Sequence, residues 1–197
     1  MPTTLNRTQK RQKETKERIF RMAMELFIKN GFENTTVSDI TEAADIGKGT
    51  FFTYFPTKEA VFGQLGEMMM ETMSVAAEEG MNSKEPIPEI LKNTLTASAD
   101  WHEANKPITQ QMIRSDFNAG GYSLNKRRLL ELLIKLIHDG QDNGGLSREV
   151  NAEDAAIVLA GTYFAVIAYW AITENASLRE RLASSIDVIL KGLVPRS

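Results

Sequence analysis

Between Thr36 and Pro56 the chain has room for two helices of about two turns each, joined by a three-residue break, and for little else. Thr36-Val-Ser-Asp39 has the form of a helix cap. A hydroxyl stands ahead of the first turn and a carboxylate within it, where unpaired N–H groups and the positive end of the helix dipole lie. The pattern predicts a helix from Val37 to about Ala44. Asp45-Ile-Gly47 interrupts it, and a second helix runs from Lys48 to about Phe55, before Pro56. Such short helices must lean on a third element. Ile40, Ala43, Ala44, Ile46, Phe51 and Phe55 are spaced to do so.

The third element precedes them. Ile19, Ala23, Leu26 and Phe27 form an apolar stripe on a helix expected from about Thr8 to Asn30. Gly31 ends it, because glycine accepts the backbone twist that closes a helix. Downstream, Thr57 is a good N-cap for a long helix reaching about Gly80. Pro86 or Pro88 opens a helix to about Ala104, and Pro107 opens another to about Phe117. After Ala119-Gly-Gly121, helices are expected at Leu124–Asp142, Ala152–Thr173 and Ser177–Gly192, with a turn at Asp142-Asn-Gly-Gly145. Few segments read as strands, so the expected class is all-α.

Several chemistries are unsupported. The absence of cysteine excludes disulfides, thiolate nucleophiles and cysteine-based zinc sites. Neither histidine, His102 or His138, follows a glutamate by three residues, and no His-Glu-x-x-His, P-loop or dinucleotide fingerprint occurs. Asp139 and Asp142 near His138 read as a solvated helix end. No catalytic residue, metal ligand or cofactor is expected. No basic-then-apolar leader opens the sequence, so a cytoplasmic location is expected.

The net charge of −3 is unevenly spread. Residues 1–58 carry ten basic against seven acidic side chains, and residues 59–197 thirteen against nineteen. Arg7, Lys10, Arg11, Lys13, Lys16, Arg18 and Arg21 crowd the start, with 1–13 as a basic arm. A basic head on an acidic body suits a protein whose head meets double-stranded DNA. The second short helix would offer Lys48, Gly49, Thr50, Phe52 and Thr53 to a major groove. Lysine can reach phosphate or guanine, threonine either base edges or phosphate, and phenylalanine a thymine methyl. Gly47 and Gly49 let the backbone come close. Thr35, Thr36, Tyr54 and Lys58 are the expected backbone anchors.

The stretch Gly31 to Phe62, GFENTTVSDITEAADIGKGTFFTYFPTKEAVF, resembles the DNA-binding domain of the TetR family of transcriptional regulators, and the match extends over about Glu14 to Leu65. It carries the family's threonine pair, the Lys-Gly-Thr opening of the recognition helix, the Tyr-Phe end and the following Lys-Glu. The equivalents of Thr35, Thr36, Lys48, Thr50, Phe52, Thr53, Tyr54 and Lys58 commonly meet DNA in that family. This chain departs in having Asp45 where glycine is frequent, Gly47 where serine or threonine is frequent, Phe52 for tyrosine and Thr53 for histidine. The resemblance implies a three-helix helix-turn-helix DNA-binding domain at 1–56 and a helical ligand-binding and dimerisation domain at 57–192. It implies a homodimer, a palindromic operator and a small-molecule effector. A ligand-responsive repressor is the expected function. The alternatives are a helical protein whose head binds protein instead of DNA and, more remotely, an enzyme housed in the body.

Within the body, Ala155 to Ile172 holds no charge and reaches the lower limit for crossing a bilayer. Acidic flanks, small residues and the lack of basic anchors favour a buried, interface-forming helix over a membrane span. With the last helix it would form the dimer contact implied by the family, through Ala160, Tyr163, Phe164, Ile167, Leu178, Leu182, Ile186 and Ile189. Met69, Met73, Trp101, His102, Met112, Phe117 and Tyr163 are candidate effector contacts, since methionine and aromatic residues suit adaptable sites. The long helix after Pro56 is the expected link between effector and recognition helices. Leu193 to Ser197 resembles a protease-site remnant of recombinant expression and is left out of the functional reading.

Overall fold

The structure, a computed structural model, describes residues 6–118, 124–174 and 176–193. The expected break at Ala119-Gly-Gly121, the first five residues of the arm and the tail after Leu193 lie outside these. The helices are α1 (Arg7–Asn30), α2 (Val37–Ala43), α3 (Lys48–Tyr54), α4 (Ala60–Asn82), α5 (Ile87–Thr96), α6 (Ala99–Ala104), α7 (Lys106–Asn118), α8 (Leu124–Asp142), α9 (Ala152–Ile172) and α10 (Leu178–Leu193). No strand occurs among the described residues.

Packing divides the chain into two units, one up to Leu65 and one from Gly66. The first extends past the boundary expected at residue 56. The reason is Phe62, whose ring lies 5.8 Å from Phe27 and 4.9 Å from Phe32, so the start of α4 belongs to the head core. Ile19, Ala23, Phe27, Ile40, Ala44, Phe51 and Phe55 complete that core, essentially without solvent contact. Ile46 is half-buried, whereas Ala43, expected inside, is exposed.

In the second unit α9 packs against α8 and α10, and α5 against the same two helices. Leu91, Leu95, Leu133, Leu159, Leu182 and Ile186 sit at the centre. The single helix expected between Pro86 and Ala104 is two. Thr96 Oγ1 donates to the carbonyl of Lys92 at 2.9 Å, and Ala97 N–H reverts to the tighter bond with Thr94 O at 3.3 Å. Local side-chain bonding of this kind competes with the helical ladder.

α9 is long and apolar enough to cross a membrane, yet 44% of its apolar window is buried inside the protein. One face is core. The other leaves Ile157, Val158, Tyr169 and Ile172 exposed at 58%, 52%, 53% and 81%. The residues expected at a dimer contact lie on the inner side: Ala160, Tyr163, Ile167, Leu178, Leu182 and Ile186 are buried within the chain, and Phe164 and Ile189 are half-buried against the same core. Sequence periodicity could not separate the faces, because α9 is apolar all round.

Candidate nucleic-acid interface and effector cleft

The two short helices are held by local chemistry. Thr36 caps α2 through a reciprocal pair: Asp39 N–H donates to Thr36 Oγ1 at 3.2 Å, and Thr36 N–H donates to Asp39 Oδ2 at 2.7 Å. These bonds to Thr36 backbone and hydroxyl hold the Asp39 carboxyl below its usual range. Asp45 then takes φ +50°, a left-handed conformation that aspartate tolerates better than most residues. The turn leads to Gly47, whose extended backbone starts α3 without a side-chain cap.

α3 turns Phe51 inward, and Phe55 follows it into the core with ring centroids 5.8 Å apart. Its other face holds Lys48, Gly49, Thr50, Phe52 and Thr53, all exposed; Phe52 is 49% exposed despite its size. Burying such a ring gains roughly 2–3 kcal/mol, so its exposure sets it apart from the other head phenylalanines, which are buried or, at Phe20, half-buried. The Lys48 and Thr50 side chains have no hydrogen-bond or ion-pair partner among the described residues. Thr53 Oγ1 donates to Gly49 O at 2.9 Å, leaving its lone pairs outward. A Cβ at Gly47 or Gly49 would meet nothing within 4 Å, so the fold itself asks for neither glycine. Tyr54 is half-buried beside this face, and Thr36 is exposed at the start of α2.

Two expected anchors are otherwise occupied. Thr35 has no solvent contact, and its hydroxyl donates to Gly31 O at 2.8 Å. Its side chain therefore cannot touch a duplex, and the expectation of a DNA contact there is corrected. Lys58 Nζ donates to Phe32 O at 2.7 Å and Thr35 O at 2.9 Å, and lies 4.1 Å from the Phe32 ring centroid. It closes the α1–α2 loop instead of standing free as a phosphate anchor. A lysine in a polar sequence context gives no sign of which partner it takes, which is why sequence reasoning missed this.

The body holds a cleft of about 300 Å³ lined by Met68, Met69, Glu71, Thr72, Ala97, Ser98 and Trp101. Of the expected effector contacts, Met69 and Trp101 lie on it. The others are placed differently. Met73 is core at 1% exposure. His102 is buried, its Nδ1 2.9 Å from Thr109 Oγ1, and burial pushes its pKa down to about 4. Tyr163 is buried with its hydroxyl 2.8 Å from Ser98 Oγ, and burial pushes its pKa up to about 12. Met112 is half-buried on α7, and the Phe117 side chain lies outside the described residues. Ser98 thus joins the cleft wall to Tyr163. Among the described residues no group of three or more metal-ligating side chains converges.

Comparison with known proteins places this geometry. Residues 19–65 match the family model described as bacterial regulatory proteins, tetR family. The chain is 24% identical over 187 residues to the uncharacterized HTH-type transcriptional regulator YhgD of Bacillus subtilis, covering 91% of this chain and 97% of that one. Among solved structures it resembles Thermus thermophilus FadR, a TetR-family transcriptional repressor solved with lauroyl-CoA. There the identity is 28%, the TM-score 0.77, and the coverage 92% of this chain and 96% of the other. FadR of Bacillus subtilis, solved with stearoyl-CoA, shares the fold at 20% identity and a TM-score of 0.65, over 89% and 98% of the two chains. The family is one of regulators and not of enzymes. The matched segment holds the capped α2, the left-handed turn and the exposed face of α3, and the likeness to TetR-family regulators continues through the body: residues 19–65 form a tetR-family helix-turn-helix head, and the whole chain is similar to HTH-type transcriptional regulators.

Proposed function

We propose that the chain is a repressor that binds a palindromic operator as a homodimer and leaves it when a small apolar or amphipathic effector occupies the body. The observation that carries this reading is the outer face of α3. Lys48, Gly49, Thr50, Phe52 and Thr53 are exposed together on a helix whose opposite face is clamped in the core. Such a helix is rigid, narrow enough for a major groove, and supplied with one cation, two hydroxyls and an apolar contact. Thr36 and Tyr54 flank it as phosphate anchors. The unit up to Leu65 acts as the DNA-binding domain and the unit from Gly66 as the effector and dimerisation domain.

Two-fold symmetry sets two α3 helices against two half-sites. The exposed apolar face of α9, with Ile157, Val158 and Tyr169, joins Val188 of α10, 70% exposed, as the contact between protomers. A Cβ at Gly161 on this helix would meet nothing within 4 Å of its own chain, leaving room for close approach of a second helix. The same face accounts for an apolar helix in a soluble, cytoplasmic protein without any membrane. Repression and effector control are supported by the likeness to Thermus thermophilus FadR, a repressor solved with an acyl-CoA. The effector shifts the balance between two arrangements of the dimer through α4, and it does so only if it binds one of them more tightly. Selection of bound fragments from a pool of random duplexes tests the reading. Recovery of an inverted repeat with two protomers per site supports it, and recovery of half-sites bound by monomers overturns it.

A further inference from the structure

We propose that the cleft beside α4 takes an amphipathic cation: a small molecule with an aromatic or alkyl body and one positive centre. The inference deepens the effector reading above and rests on it. Among the described residues Glu71 is the one ionisable group lining the cleft, and it is exposed with no ion pair. Met68, Met69, Ala97 and Trp101 supply the apolar wall. Thioethers and an indole are the side chains best suited to a polarizable body and a soft cation. The hydroxyl of Thr72 donates to Met68 O at 3.0 Å, so what it offers the cleft is lone pairs. The polar rim therefore accepts hydrogen bonds and carries negative charge.

The surroundings agree. α4 holds Glu67, Glu71, Glu78 and Glu79 and no lysine or arginine between Ala60 and Asn82. Three cations of the body are engaged elsewhere. Lys92 of α5 pairs with Glu89 at 2.9 Å and Asp187 at 3.3 Å. Arg179 pairs with Asp100 at 2.9 Å. Lys106 donates to Thr173 O and lies 4.7 Å from the Trp170 ring centroid. An anionic head group placed here would meet the Glu71 carboxylate, and no base lines the cleft among the described residues. A cation would meet a carboxylate, an aromatic ring and acceptor oxygens.

Tetraphenylphosphonium and tetraphenylborate test this, being nearly the same shape with opposite charge. Their binding to the full chain is read by calorimetry and by quenching of tryptophan fluorescence. The phosphonium is expected to bind at least about tenfold more tightly than the borate. Glu71→Gln should erase most of that preference, and Glu71→Lys should invert it; the site is exposed, and circular dichroism checks the fold. Equal affinity for the two ions, or a preference unmoved by Glu71→Gln, overturns the proposal. Binding of the same preparation to its selected duplex is measured in parallel without either ion. A protein that binds DNA but ignores the phosphonium removes the cleft assignment alone. One that binds the phosphonium through Glu71 but no duplex removes the regulator reading and leaves the cleft assignment standing.

Discussion

Replacing Lys58 by methionine keeps the apolar stem and removes the ammonium. In the structure that ammonium serves two carbonyls, Phe32 O at 2.7 Å and Thr35 O at 2.9 Å, and stands 4.1 Å from the Phe32 ring centroid. Hydrogen bonds to a charged group contribute roughly 1.5–3 kcal/mol each. The site is half-buried, so water replaces part of each bond, and about half that value is retained. The cation–ring contact adds roughly 0.5–1 kcal/mol. The variant should lose about 2–4 kcal/mol of head stability, a large share of what a small domain has. Urea unfolding followed by far-ultraviolet circular dichroism reads the loss, and amide exchange at Thr35 and Gly31 localises it. Because Lys58 is not a free phosphate ligand, the salt dependence of DNA binding should keep its slope. Lys48→Ala is the counterpart: unchanged stability, and a slope lowered by roughly 0.9 if Lys48 neutralises one phosphate. A Lys58→Met protein with wild-type unfolding and a slope reduced by about one would refute the reasoning.

Four further outcomes are expected. Thr50→Ala should change preference among selected sites by about 1–3 kcal/mol, measured by competition binding, whereas equal loss at every site would reassign Thr50 to a phosphate. Ile157→Glu and Val188→Glu should convert dimer to monomer in sedimentation experiments, while Leu182→Glu, at 0% exposure, should unfold the body instead. His102 is held near 4 by burial, below the ordinary 6.5, so its neutral form favours folding fully above pH 6.5. That advantage falls away as pH drops from 6.5 toward 4, by up to about 3 kcal/mol, and His102→Gln should flatten the dependence in urea titrations. The Asp39 carboxyl is also depressed, by its bonds to Thr36. Its contribution is present above the ordinary aspartate range and lost as pH falls through the lowered value, so Asp39→Asn should blunt acid unfolding of the head.

The head was legible because its signals are local. Thr36 and Asp39 cap a helix within one turn, Gly31 at φ +84° stops another, and Phe51 and Phe55 repeat on one side. Each is decided by neighbours within four residues. What was not legible depends on distant partners. Thr35 reads as a surface hydroxyl until the fold buries it under α1 with Leu26 O and Gly31 O as acceptors. Lys58 reads as a free cation until the α1–α2 loop comes within its reach. The inner and outer faces of α9 were not legible because the helix is apolar on every side, and only packing against α8 and α10 separates Ala156 and Leu159, inside, from Ile157 and Val158, outside. The cleft was half legible. Methionines and Trp101 were visible as a soft group, but nothing in the sequence singles out Glu71, which only the fold sets beside Ala97, Ser98 and Trp101.

The account stands on α3 presenting its outer face to a duplex groove. A fluorescence-anisotropy titration of a selected duplex, comparing the full chain with a Lys48→Ala/Thr50→Ala variant of equal unfolding midpoint, tests that most directly. The expected result is tight, salt-sensitive binding by the parent and a variant reduced to its affinity for random DNA. Equal affinity of the two proteins for the selected duplex would contradict it.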